Sequence, residues 1–525
     1  METFEKRWVR ARRLEMDGEL EAACDAYEQI LADEPNRLYA RLRLCDLLQA
    51  RGSYRAAHTH LIRAMQDVEN GKRPADLHQV TRRLLAFAEH AHVQRLIEGA
   101  DWHRPEIAGT APMLIQYLWL SGKVESALRR CEQMLEIAPD HAALNYSHGI
   151  LLNYSGRIDE AEAAFERCIQ IQPGHPGAHW SLAYLRASPE PLARVQAIEH
   201  ALALNSGNAD SSTFLHYALH REYANAGKIP EAWHHLGIGA GLKRAMLSYD
   251  SSVEEMAVEE LLALPPPGGM GGTNIPKTRQ IFVVGMPRTG TTLLERILGG
   301  DPRVVAAGEL TEFQAALGWQ IDRFVGTGLA PGVMGSLKEA DLEEVGRRYR
   351  DMTAWRMDDE DAVLVDKNPE NFFLSPFIAG ALPEAKIVCI RRNPMDACFS
   401  NLKELFANDS YGYSYRLDEL ADHYHRFNRL AEHWKATMPG SFHVVEYEYL
   451  VSEPVAASAE IFAFCGLHFD GAYVDITRNS APVATASAAQ VRRPIESRSI
   501  GSWKEYATEL DDLKLRLEML GHAVG

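Results

Sequence analysis

The sequence is short of cysteine: seven in 525 residues, an odd number, with no CxxC pair. That excludes a disulfide scaffold and a clustered thiol metal site. Cys24, Cys45, Cys131, Cys168, Cys389, Cys398 and Cys465 mostly fall in apolar, periodic stretches, so they read as buried reduced thiols of a cytoplasmic protein. The 21 histidines are scattered, and no metal is expected. Long apolar runs are missing too. None reaches about 18 residues, which argues against a membrane-spanning helix. Met1–Arg13 mixes charges with apolar residues and lacks the apolar core of a signal peptide. Positive charge is outweighed, 55 Lys and Arg against 72 Asp and Glu, net −17. Such a chain is unsuited to wrapping nucleic acid or anionic lipid, although a local basic pocket remains compatible with it.

What is present is ordinary globular composition, 46% hydrophobic and 24% charged. A length of 525 residues predicts several domains at about 100–200 residues each. The first half repeats. Gly122, Ala127, Cys131 and Pro139 each lie 34 residues before Gly156, Ala161, Phe165 and Pro173. Gly18, Ala23, Tyr27 and Pro35 keep the same internal spacing, and Gly52, Ala57 and Leu61 follow at 34. The glycines suit turns with positive φ, the alanines a close helix contact. Pro35, Pro105, Pro139 and Pro173 are expected to stop second helices. Gly227 and Ala232 mark a further unit. Period and pattern resemble the tetratricopeptide repeat (TPR), two helices per unit. About six units are expected, with residues 70–100 and 186–206 degenerate. These positions serve packing and turns; function belongs to the concave face, where such arrays hold peptides or partner proteins.

Leu264–Gln280, LPPPGGMGGTNIPKTRQ, sustains neither helix nor central strand. It divides an expected repeat domain, 1–263, from an α/β domain, 281–525, with 264–280 as linker. After it, QIFVVG reads as a buried parallel strand, and GMPRTGTTLLERIL as a glycine-rich loop opening a helix near Thr291. Strand, loop and helix N-terminus form an anion cradle. Gly285 and Gly290 match the glycine spacing of GxxxxGK[ST], but Thr291 stands where the phosphate-gripping lysine belongs. That argues against a nucleotide kinase, while Arg288 offers another cation inside the loop.

Three more strands carry chemistry. VLVDKNPENF sets Lys367 at a strand's C-terminal edge, where open α/β sheets bind ligands. KIVCIRRNP ends at Arg391 and Arg392 and leads into the helix MDACFSNLKELF, which carries Ser400; Arg392 and Ser400 can pinch a phosphate. HVVEYEYLV is a strand with Tyr447 at its end.

Together, PRTGTT, the strand-end lysine, the Arg392–Ser400 pair and YEYLV resemble the PAPS-dependent sulfotransferases, which use 3′-phosphoadenosine 5′-phosphosulfate (PAPS) and release its desulfated product (PAP). With TPR units in front, the chain resembles bacterial TPR-containing sulfotransferases, its catalytic half similar to the tyrosylprotein group. The fold implied is an N-terminal TPR α-solenoid followed by a P-loop-like α/β sulfotransferase domain with a central parallel sheet. The resemblance implies a 5′-phosphosulfate loop of Pro287, Arg288, Thr289, Gly290, Thr291 and Thr292. It assigns Arg392 and Ser400 to the 3′-phosphate, and Tyr447 to the vicinity of the adenine. Lys367 steadies the departing oxygen. The late segment Thr485–Trp503 closes over the nucleotide, with Ser487, Gln490, Val491, Arg492 and Arg498 as candidates.

AAGELTEF at Ala306–Phe313 looks like the GEE segment of the tyrosylprotein enzymes, which carries a glutamate base. Leu310 replaces the second glutamate, so the register is open by one residue. Glu309 is the expected base, with Glu312 or a histidine as alternatives. The expected reaction is metal-independent in-line transfer. Arg288, Lys367 and loop N–H groups meet the charge. A peptide tyrosine, a saccharide hydroxyl, a lipid and a small phenol stay open as acceptor. The array tilts toward a peptide or protein acceptor, or toward a homodimer. The competing readings are a P-loop nucleotide kinase, and a TPR scaffold with an inactive sulfotransferase-like domain.

Overall fold

The computed structural model describes residues 3–71, 73–266, 279–326, 333–357, 359, 361–407, 409–479, 481–482 and 492–525. Most of the expected linker, and the late-loop candidates Ser487, Gln490 and Val491, lie outside the described residues.

The first half is a series of helix pairs, most of them with a left-handed glycine between the two helices and an alanine at the contact. Seven pairs occur among the described residues: Phe4–Met16 with Leu20–Asp33, Leu38–Arg51 with Tyr54–Gly71, Leu77–Ala86 with His90–Glu98, Ala111–Leu120 with Val124–Ile137, Ala142–Tyr154 with Ile158–Ile171, Pro176–Leu185 with Pro191–Leu204, and Ala209–Asn225 with Ile229–Ala245. The expectation of about six was one short: of the degenerate stretches, the first folds as a full pair and the second supplies the second helix of one. In the first of these, Ala88 occupies the turn glycine's place and adopts φ 57°. Gly18, Gly52, Gly122, Gly156 and Gly227 all have positive φ. Ala23, Ala57, Ala127, Ala161 and Ala232 are wholly buried. Pro105 is a correction. It opens the short helix Pro105–Ala108 instead of ending one, since proline's missing N–H costs nothing at a first helical position.

The chain divides into two compact units. The first comprises the described residues through Ala127, with Thr311–Gly326 and the helices Val333–Lys338 and Leu342–Thr353. There, Trp319 and Phe324 pack against Tyr54, with ring centroids 6.5 and 4.7 Å away. The second comprises the described residues of 128–310 and of 356–525, and holds the sheet.

That sheet has five strands: β1 Arg279–Gly285, β2 Val304–Ala306, β3 Val363–Lys367, β4 Lys386–Arg391 and β5 Phe442–Glu446. Their order is β2-β3-β1-β4-β5, every pair parallel. Ile281, Phe282, Val283 and Val284 are all buried, which explains why β1 reads as an unbroken apolar run. β1 lies between β3 and β4, so the chain leaves it toward one side and later returns on the other. The C-terminal ends of β1, β3 and β4 therefore open together at the switch point where such sheets bind ligands. All seven cysteines are buried and unpaired.

Candidate functional site

Three strand ends build the site. Beyond β1, Met286–Gly290 turns into the helix Thr291–Leu298. The turn needs unusual backbone: Gly285, Arg288 and Gly290 have φ 147°, 65° and 109°. A β-carbon on Gly290 would stand 2.6 Å from the Tyr447 ring, so only glycine lets the loop approach that ring. The Thr289 hydroxyl is spent on the loop itself, donating to the Met286 carbonyl at 2.7 Å. Arg288 points its guanidinium toward buried Glu404, at 3.5 Å.

At the end of β3, Lys367 is wholly buried, yet its Nζ donates to Glu309 Oε1 at 2.5 Å. Burial pulls the lysine's pKa down, but the Glu309 and Glu295 carboxylates outweigh it and leave it raised. Glu309 itself is 50% exposed, so the pair has a dry end and a wet end. The loop bearing Glu309 is pinned twice. The Lys367 N–H donates to the Gly308 carbonyl at 2.9 Å. The Gly308 N–H donates to Glu295 at 3.0 Å. Glu312, the alternative base, is wholly buried in the first unit and paired with His90 at 3.1 Å.

Beyond β4, Arg392 is buried. It donates to the Arg288 carbonyl at 3.2 Å and the Ser499 carbonyl at 2.5 Å, and lies over the Tyr447 ring at 4.7 Å. Its Nε has no hydrogen-bond partner among the described residues. Ser400 is half-buried two turns into the helix Pro394–Leu402, which ends before Lys403 and so is shorter than expected. Tyr447 starts a helix directly after β5, and its hydroxyl lies 2.6 Å from the Ser499 hydroxyl.

The Arg498 side chain is 86% exposed and paired with Glu496 at 3.1 Å. Arg492 turns to the Tyr154 carbonyl, 2.6 Å away. Sequence reasoning missed Ser499, and it missed Asp396, which is buried and accepts from the Gly501 N–H at 2.6 Å, the Ser502 hydroxyl at 3.1 Å and the Trp503 N–H at 3.3 Å. It also missed Glu370. Burial, then the Glu309 charge, pushes that carboxyl up to about 7, while Ser410 and Tyr411 hydrogen bonds partly oppose the shift. Glu370 lies three residues past Lys367, a spacing that could have flagged it.

The arrangement offers a backbone cradle beside a buried cation, with a carboxylate facing solvent across it. Residues 280–471 match the model of the sulfotransferase family. An uncharacterised protein of Aquifex aeolicus is 26% identical over 68% of this chain and 47% of its own length, so the chain spans about half of that relative. A putative protein-tyrosine sulfotransferase of Caenorhabditis briggsae is 24% identical over 46% of this chain and 88% of its own. The sulfotransferase domain of the Synechococcus PCC 7002 olefin synthase is 18% identical, covering 48% of this chain and 98% of that one, with a TM-score of 0.35. Among the described residues, no helix is long and apolar enough to cross a membrane. Behind its tetratricopeptide-like helix pairs, the chain thus carries a region, residues 280–471, that is similar to the sulfotransferase family.

Proposed function

We propose that this domain transfers a sulfuryl group from PAPS to an acceptor hydroxyl, without a metal, and that the repeat array of residues 1–263 binds the acceptor or a partner. The observation that carries the reading is the Lys367–Glu309 pair at the sheet's C-terminal edge, one group buried and the other half-exposed. The residues suit the donor. The glycine-rich loop presents backbone N–H groups at a helix start. Arg392 keeps a buried Nε unpartnered among the described residues, which suits an added anion. When bound, the donor supplies an activated sulfuryl group on a phosphate leaving group.

The chain's own residues do the rest. Pro287, Arg288, Thr289, Gly290, Thr291 and Thr292 hold the 5′ end, and Arg392 and Ser400 the 3′-phosphate. Tyr447 packs against the loop at Gly290 and meets the adenine. Glu309 takes the acceptor's hydroxyl proton, a role worth about 10²–10⁴-fold for a positioned base. Lys367 holds Glu309 in place and brings a fixed positive charge to the side where negative charge develops. From the late segment Thr485–Trp503, whose Gly501–Trp503 stretch Asp396 anchors, Ser487, Gln490, Val491, Arg492 and Arg498 are the proposed nucleotide contacts.

Calorimetry of the full chain with PAP and with ATP tests the reading. Tight PAP binding with little ATP binding is expected. A preference for ATP with magnesium would overturn it in favour of a kinase, and silence toward both in favour of a scaffold. Incubation of a lysate with enzyme and sulfur-labelled PAPS, followed by mass spectrometry, identifies the acceptor.

A further inference from the structure

The helix Ala209–Asn225 belongs to the repeat series, yet it borders the phosphate side of the α/β domain within the second compact unit. The Tyr217 hydroxyl donates to the Leu402 carbonyl at 3.0 Å. From the preceding pair, the Tyr184 hydroxyl donates to the Lys403 carbonyl at 2.9 Å. Arg221, one turn past Tyr217, stacks its guanidinium over the Tyr184 ring at 5.7 Å. These bonds fix Arg221 beside the residues that follow Ser400.

The charge there does not balance. Lys403 sits in the fields of Arg221, Arg392 and Arg288, with its Nζ 4.0 Å from the Phe399 ring centroid. Three carboxylates oppose these four cations, and one of them, buried Glu222 in the field of Arg221, is shared with Arg194 at 3.4 Å. Asp396 is occupied by the late loop. Glu404 is buried, and burial pushes its pKa up against the pull of Arg288 and Arg221. Burial, with the three guanidinium groups, pulls the Lys403 amine down to about 7. Unmet polar groups accompany the excess. Among the described residues, Arg221 Nε and Arg392 Nε have no hydrogen-bond partner, and neither does the hydroxyl of Tyr506, which is 2% exposed and lies in the field of Arg221. Excess buried positive charge beside unsatisfied donors is costly unless an anion joins it.

We propose that Arg221 is a ligand of the nucleotide's 3′-phosphate, acting with Lys403 and Tyr506, so that the repeat array forms part of the donor site as well as a surface for partners. A phosphomonoester dianion suits the site because it offers several acceptor oxygens to donors converging from different elements. The inference rests on the donor reading above.

The test compares PAP with adenosine 5′-phosphate, which lacks the 3′-phosphate, by calorimetry on the full chain. Arg221→Met is expected to weaken PAP about tenfold to a hundredfold, the range for one hydrogen bond to a charged group. It should leave adenosine 5′-phosphate within about threefold, because its contacts avoid the 3′ side. Arg221→Lys should lose less than Arg221→Met. Unchanged PAP affinity in Arg221→Met would overturn the proposal. So would an equal loss for both nucleotides, the mark of a purely structural arginine. Failure of the wild-type chain to bind PAP would instead overturn the donor reading itself, and this inference with it.

Discussion

Lys367 Nζ and Glu309 Oε1 lie 2.5 Å apart, the lysine wholly buried on β3 and the glutamate half-exposed on the loop after β2. The two residues are 58 positions apart. Parallel pairing of β2 with β3, Val304 opposite Val363, brings them together. The sheet register thus fixes the relation of Glu309 and Lys367 before any ligand arrives.

Glu309→Gln should keep the shape and remove the base. Transfer of labelled sulfate should fall about 10²–10⁴-fold, while PAP affinity stays within a few-fold. A variant that binds PAP and transfers at the wild-type rate would remove Glu309 from the mechanism.

Asp396→Ala should loosen the late loop, because three donors lose one buried carboxylate. Hydrogen bonds to a charged group are worth about 1.5–3 kcal/mol each and do not add fully. Faster proteolysis between Ser497 and Trp503 and weaker PAP binding are expected together. Unchanged cleavage would show that the loop is held by other contacts.

Gly290→Ala puts a methyl 2.6 Å from the Tyr447 ring and strains a residue at φ 109°. Strain of this kind costs about 1–3 kcal/mol. The displaced ring should also part from Ser499, so lower thermal stability and weaker nucleotide binding should appear in the same variant. A melting temperature equal to wild type would contradict the clash.

The sequence made the strands, the phosphate-type loop and Lys367 legible because each depends on local signals: apolar runs, glycine spacing, a charge at a strand's end. The repeats were legible through their period, except where Ala88 hides the turn glycine. What stayed hidden depends on distant pairing. Asp396 looks like one more helical acid until residues 105–107 positions later dock on it. Arg221 looks like a polar face residue of a repeat.

Glu370 yields a pH prediction whose sign follows from its raised pKa of about 7. Between the ordinary carboxyl value and about 7, the folded chain holds a proton that the unfolded chain has released. The stability this proton confers is therefore present at low pH and lost as pH rises through that window. Glu370→Gln mimics the protonated form, so it should flatten the dependence and raise stability at pH 8 by about 1–3 kcal/mol. Scanning calorimetry at pH 5 and pH 8 measures the difference. The wild-type gap between the two conditions should exceed that of Glu370→Gln. Glu309→Gln should narrow the gap as well, because removing the neighbouring charge lowers the Glu370 pKa toward its ordinary value. Equal gaps in all three proteins would mean that Glu370 is ionised in the fold and that its apolar surroundings do not restrain it.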